Sequence, residues 1–183
     1  MNNFINITLL PDSEFKEAVL MNAVYSKLHK ILCDQNSSAI GISFPDYKLT
    51  LGKVLRIHGS EKGLVTLQRK DWLGGMKGYC IVSEISPIPE IVKHRTVRRK
   101  HSTMSEAKLK RLLKRGSISQ GGASRYREKM LTKGLDNPYL ELVSGSNGQK
   151  HRRYIQFGEI LEYRVEGRFD LFGLSKTATV PWF

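Results

Sequence analysis

From Asn3 to Leu10 the apolar positions alternate around Ile5, Ile7 and Leu9, which predicts a β-strand. Pro11, Asp12 and Ser13 then punctuate the chain and predict a capped helix running to about Asp34. On that helix Leu20, Ala23, Val24, Leu28, Ile31 and Leu32 fall on one apolar stripe. Ala39 to Phe44 and Leu51 to His58 read as strands, and Ser60 is placed to cap a second helix toward Asp71. Tyr79 to Ser86 reads as a further strand, and Pro87 and Pro89 close the series. The order strand, helix, strand, strand, helix, strand is the split βαβ, or ferredoxin-like, arrangement. The expected class is therefore α+β. A ferredoxin-like (βαββαβ) domain occupies 1–90, and a second domain with a basic helix and short strands occupies 91–183.

In the second half the pattern changes. Thr103 and Glu106 have capping-box spacing, and Gly116 marks the C-terminal stop of the helix they would open. Between them Leu109, Leu112 and Leu113 share one face, while Lys108, Arg111 and Arg115 line another, flanked by Lys110 and Lys114. A shorter helix is expected over Ser124 to Lys133, ended by Gly134. Strands are expected at Tyr139 to Val143, Arg152 to Phe157 and Leu161 to Val165, with a final run to Phe183. The segment Ser144, Gly145, Ser146, Asn147, Gly148, Gln149 reads as a polar hairpin turn, rich in groups able to hold a phosphate or a ribose hydroxyl.

Composition changes this picture in one respect, the placement of charge. The chain has 183 residues and a net charge of +13. Residues 1–92 carry 10 lysines and arginines against 9 acids, and 134–183 carry 6 against 6. Residues 93–133 carry 14 against 2, so nearly all the excess lies in 41 residues. That concentration marks a polyanion-binding segment rather than a generally basic surface. Apolar runs are too short to span a bilayer, and no secretory signal is read. The two cysteines, Cys33 and Cys80, lack metal-ligand spacing and are expected to be small buried side chains in a reducing cytoplasm.

The chemistry follows from what such a segment would hold. Metal-dependent nucleases gather carboxylates, but the sequence has no Asp-x-Asp motif and only Glu106 and Glu128 within the basic region. No metal or other cofactor is expected. If the chain cuts RNA, the nucleophile is the RNA's own 2′-hydroxyl, activated by a histidine. His29 is the candidate, on the flank of the first helix near Asn22, Ser26 and Cys33. The run Arg95, Arg98, Arg99, Lys100 and His101 offers guanidinium forks suited to guanine edges. His94, His101 and His151 lie in or beside basic stretches. These residues alone leave open a hairpin-binding protein without catalysis and a DNA-binding regulator.

Several strings together are more specific: KLH at Lys27 to His29, IGISFP at Ile40 to Pro45, LRIHGS at Leu55 to Ser60 and HRTVRR at His94 to Arg99. The serine-rich turn ending in Gly148 and Gln149, FGLS at Phe172 to Ser175 and the terminal VPWF at Val180 to Phe183 complete them. Along essentially its whole length the chain resembles the CRISPR-associated repeat-RNA endoribonucleases of subtype I-F. The resemblance implies metal-independent cleavage just 3′ of a repeat stem-loop, and retention of the mature guide RNA as a subunit of the subtype I-F interference complex. It makes His29 the general base and Ser144 the residue that holds the ribose nucleophile. Arg99 would read a guanine in the lower stem. Arg111 and Arg115 would grip stem phosphates beside Lys108 and Lys114. Arg98, His101, Gln149, His151 and Arg152 complete the expected RNA contacts. The chain departs from the family pattern at five positions. His101 stands where a glutamine is common, His151 where an aromatic stacks, and Phe172 where a tyrosine usually orients the histidine. Leu112 and Gly116 stand where relatives often place more arginines.

Overall fold

A computed structural model describes residues 1–101, 104, 106–132, 136–143 and 148–183. The N-terminal half runs β1 (Asn3–Leu9), α1 (Glu17–Asp34), β2 (Gly41–Ser43), β3 (Val54–Gly59), α2 (Glu61–Gln68), a 3-10 turn (Gly74–Tyr79) and β4 (Cys80–Val82). Its strands lie in the order β2-β3-β1-β4, each antiparallel to its neighbour. This is the element order expected from the hydrophobic pattern.

Local chemistry explains the boundaries. Ser60 caps α2 by accepting a hydrogen bond from the Gly63 amide at 3.2 Å, as expected. The expected start of α1 is corrected: the Asp12 carboxylate accepts from the amides of Glu14 and Phe15 and closes its own turn, so the helix begins at Glu17. The buried face of α1 is also rotated from the expected stripe, with Met21 and Tyr25 buried while Ala23 and Ile31 are half-buried. The expected strand from Tyr79 to Ser86 is two pieces along β1, because the Ser83 hydroxyl takes the Asn6 amide in place of a ladder carbonyl. Its second piece is β5 (Ser86–Pro87), paired at Asn3 and Phe4.

In the second half β6 (Lys93–Arg95) and β7 (Val97–Lys100) precede α3 (Glu106–Lys114) and α4 (Gln120–Thr132). β8 (Tyr139–Val143), β9 (Lys150–Phe157) and β10 (Val180–Trp182) follow. One small sheet has the order β7-β9-β8 and a ribbon pairs β6 with β10. β6 and β7 were not expected as strands, because their burial is carried largely by a cation. Arg95 is 8% exposed, donates to the Gly158 carbonyl and the Tyr47 hydroxyl, and sits over the rings of Tyr47, Phe157 and Trp182. Leu161 to Val165 is not a strand. It touches its neighbours at two points, Leu161 with His94 and Val165 with Thr179, and the charged side chains between them stay exposed. α4 begins four residues before Ser124. Ser119 caps it through the Gly122 amide, and Gly121 and Gly122 had concealed that turn. α3 ends as expected at Gly116, which has φ +68°, with the Gly116 and Ser117 amides bonded to the carbonyls of Leu113 and Leu112. Thr103, the expected cap of α3, and Lys133 and Gly134, the expected end of α4, lie outside the described residues.

One hydrophobic cluster spans both halves, joining Ile5, Leu28 and Ile57 to Val97, Leu140, Ile155, Leu174 and Val180. The C-terminal run lies on the open edge of the first sheet. There a Cβ on Gly41 would stand 2.8 Å from Phe169 and Val180, so only glycine admits the approach. Cys80 is buried, but Cys33 is exposed on the outer flank of α1, correcting the expectation that both are core residues. No helix among the described residues is long and apolar enough to cross a membrane.

His58 lies fully buried on β3, its Nε2 sharing a 2.8 Å hydrogen bond with the Ser43 hydroxyl. Burial, then the charges of Arg56 and His94, depress its pKa to about 3. The folded state therefore excludes a proton that the unfolded chain binds below its ordinary pKa of about 6.5. The stabilising neutral form is complete above that pH and is lost as pH falls toward the folded value. Urea unfolding of His58→Asn at pH 6 to 4 should show an acid loss shallower than wild type by about 1.4 kcal/mol per pH unit. Parallel slopes would mean that His58 already titrates in the folded protein.

Candidate active site

Tyr25 and His29 lie one turn apart on α1 and both meet a tight turn formed by Asp170 to Leu174. The turn is built by its own polar atoms. Asp170 Oδ1 accepts from the amides of Phe172 and Leu174, each at 2.9 Å, and the Asp170 amide donates to the Leu174 carbonyl. Gly173 takes φ +70° and its carbonyl accepts from the Ile42 amide on β2 at 3.0 Å. The Tyr25 hydroxyl donates to the Phe172 carbonyl at 3.0 Å. Burial pushes that phenol far above its ordinary value, so it stays a donor.

The same turn fixes His29. Its Nδ1 lies 2.8 Å from the Leu171 carbonyl. A carbonyl can only accept, so the proton of the neutral imidazole sits on Nδ1 and Nε2 keeps its lone pair. The Phe172 ring stacks on the imidazole with centroids 3.5 Å apart and planes 15° from parallel. On Phe172 in turn lies the guanidinium of Arg153, its Cζ 3.4 Å from the ring centroid. Cys33 Sγ stands 3.5 Å from Nδ1 and 3.8 Å from Nε2. Burial, with the Asp34 charge second, pushes its thiol up, which disfavours a thiolate there.

His29 opens on a cavity of about 650 Å³ that also takes in Arg98, Arg99, His101, Arg153, Arg168, Phe172 and Lys176. Among the described residues Asp170 is the single acidic residue of the lining. His101 is held below its ordinary pKa by desolvation and then by the charges of Arg99, Lys176 and Arg153, which places these four groups together. The arrangement offers an acceptor nitrogen facing a concentration of positive charge, a place for a polyanion whose proton is to be removed. Among the described residues no three His, Cys, Asp or Glu side chains cluster as metal ligands do.

Of the residues expected from the sequence, His29, Arg98, Arg99, His101 and Phe172 meet at this cavity. Ser144 lies outside the described residues. Lys108, Arg111, Lys114 and Arg115 stand exposed on α3 and in the turn after it, with Leu109 buried beneath them. Gln149 is exposed before β9, and His151 is half-buried opposite Leu142. Arg152 points to the other face of β9, over the Tyr139 ring and 3.9 Å from Glu141. Arg153, Asp170, Tyr25 and the Leu171 carbonyl were not anticipated. Two signals were present: the β9 alternation puts Arg153 on the inward face with Ile155, and Asp170-x-x-Gly173 has the spacing of a side-chain-closed turn.

The family model described as CRISPR-associated protein (Cas_Csy4) matches residues 4–183. The chain is 36% identical, over the full length of both, to a CRISPR-associated endonuclease Cas6/Csy4 of Escherichia coli (strain UTI89 / UPEC). It is 35% identical, again over the full length of both, to one of Pseudomonas aeruginosa (strain UCBPP-PA14). A solved CRISPR endoribonuclease Cse3 bound to a 19 nt RNA covers 99% of this chain and 100% of its own, with TM-score 0.40 and 13% identity.

The turn makes a direct prediction. At Gly173 an added Cβ would sit 2.8 Å from Ile42 in a backbone region that side chains rarely adopt. Gly173→Ala should lower stability by roughly 1–3 kcal/mol in urea unfolding. Gly75→Ala, where an added Cβ meets nothing within 4 Å, should stay within about 0.5 kcal/mol of wild type. Equal effects at the two sites would show that the turn is not strained.

Proposed function

The chain belongs to the Cas_Csy4 family of CRISPR-associated proteins, and we propose that it is a metal-independent endoribonuclease that cuts precursor RNA 3′ of a CRISPR repeat stem-loop. The observation that carries this reading is the Nδ1 contact of His29 with the Leu171 carbonyl, which leaves the lone pair on Nε2 in a residue that lines a cavity with five lysine and arginine side chains. In this reading Nε2 takes the proton of the ribose 2′-hydroxyl as that oxygen bonds to the adjacent phosphorus. The bond from phosphorus to the 5′-oxygen breaks, and the leaving oxygen takes a proton from the imidazolium or from water. The products are a 2′,3′-cyclic phosphate and a 5′-hydroxyl, with no atom supplied from outside the RNA except that proton. Ser144, by its match to the family, holds the ribose. A divalent cation would have to enter a cavity already crowded with positive charge, which favours the substrate's own nucleophile.

The remaining assignments follow the same reading. The unit of 1–90 is ferredoxin-like and carries the base, while 91–183 carries most of the RNA grip. Arg99 reads a guanine of the lower stem with Arg98 and His101 beside it. Lys108, Arg111, Lys114 and Arg115 hold stem phosphates, and Gln149, His151 and Arg152 lie beside the cleavage-site turn. The protein keeps its product in the cytoplasm and joins other subunits of the subtype I-F complex.

Two experiments test this. A single 2′-deoxy substitution upstream of the cut should abolish cleavage while binding persists, and EDTA should leave wild-type cleavage unchanged. Cleavage of the deoxy substrate would contradict the mechanism. An intact native hairpin would indicate a binding protein without catalysis. Separately, Arg111→Ala with Arg115→Ala should weaken many hairpins alike and make the salt slope shallower by about 2, since two fewer phosphates are neutralised. Arg99→Ala should instead penalise the cognate stem more than a mismatched one. Identical losses across sequences in both variants would remove the distinction between phosphate grip and base reading.

A further inference from the structure

We infer that Arg153 is a catalytic residue whose guanidinium receives the non-bridging oxygens of the scissile phosphate, an assignment that rests on the reading of His29 above. Arg153 is 6% exposed. Its Nε is buried and makes no hydrogen bond, and no carboxylate lies within ion-pair distance of it among the described residues. Burying a cation without a counter-ion is costly, and a ring face offsets only part of that cost. The nearest acid of the cavity, Asp170, commits Oδ1 to two backbone amides of its own turn. Burial disfavours the Arg153 cation most; Tyr25 and Asp170 favour it and Arg99 opposes it, while Arg153 in turn disfavours a proton on His101. Arg152, one residue earlier on the opposite face of β9, shows the alternative: it has Glu141 beside it and Tyr139 beneath it.

The stack gives the missing anion its place. The Arg153 guanidinium sits over the Phe172 ring and the His29 imidazole stacks on the same ring, so Phe172 holds both groups in place. The faces are used; the N–H edge of the guanidinium and the Nε2 edge of the imidazole remain for a ligand in the cavity that both line. As the 2′-oxygen bonds to phosphorus and its proton passes to His29, negative charge builds on the two non-bridging oxygens. Arg153 meets that charge with donors already held in place, which is where preorganised electrostatics acts most strongly. When the bond to the 5′-oxygen breaks, the cyclic phosphate keeps one negative charge, and Arg153 remains paired with it.

The test uses the full chain and a repeat hairpin in single-turnover cleavage, with the 2′-deoxy hairpin as the binding probe. Arg153→Met should cut at least about 100-fold more slowly, the scale of losing one oxyanion donor. Its affinity for the deoxy hairpin should stay within about threefold and its melting temperature should not fall, since an unpaired buried charge has gone. Arg153→Lys should recover part of the rate. Sulfur in place of one non-bridging oxygen at the scissile phosphate should slow wild type but add little to the defect of Arg153→Met. Should Arg153→Met not fold, the same sulfur comparison between wild type and Arg153→Lys decides. Cleavage by Arg153→Met within about threefold of wild type, or an equal sulfur effect in both proteins, would overturn the assignment. If wild type itself leaves the hairpin intact, the reading of His29 fails first and this assignment with it.

Discussion

The hydrogen bond from His29 Nδ1 to the Leu171 carbonyl ties the structure together. It joins a helix of the first sheet unit to a turn 142 residues later in sequence, and it decides which imidazole nitrogen keeps its lone pair. Its geometry depends on a carbonyl that points correctly, which depends on Asp170 closing the turn and on Gly173 adopting φ +70°. The turn in turn is held by Tyr25 from α1 and Ile42 from β2. A loop alone would not hold a carbonyl to this tolerance. Attached at both ends to the buried core, it does.

The second organising feature is the different treatment of buried arginines. Arg95 is enclosed by Tyr47, Phe157 and Trp182 and donates to Gly158 and Tyr47. Arg56 sits against the rings of Phe4 and Phe183 and donates to Asn6 and the Phe183 carbonyl. Both are satisfied within the protein and hold the C-terminal run on the sheets. Around His29 five cations line the cavity against one acid among the described residues, Asp170, so a net positive field is directed into it. Phe172 separates the two roles, presenting an apolar face to the imidazole and to the guanidinium alike.

Much of this was legible in the chain. The alternation at Ile5, Ile7 and Leu9 and the stripe on α1 gave the first sheet unit, because burial on one face imposes a period that side chains cannot disguise. The basic helix and its stop at Gly116 were equally plain. β6 and β7 were hidden because their inward positions include Arg95, an arginine doing the work of an apolar residue. Leu161 to Val165 failed in the opposite way: the alternation is real, but no strand edge meets it over more than a residue. His29 was singled out by type and position and does line the cavity, but its tautomer was not legible, since a backbone carbonyl leaves no mark in a sequence. Arg153 was concealed by Arg152 beside it, although its alternation with Ile155 marks it as the inward one of the two.

The central claim is that His29 is held as the Nδ1–H tautomer with Nε2 free. Nitrogen NMR of the histidine rings, with His29 assigned by comparison with His29→Ala, measures this without any substrate. The account predicts that in the neutral ring Nδ1 carries the proton, coupled across its bond to Leu171, and Nε2 shows the shift of an unprotonated nitrogen. A neutral ring protonated on Nε2 would contradict this, because Nδ1 would then point its lone pair at a carbonyl.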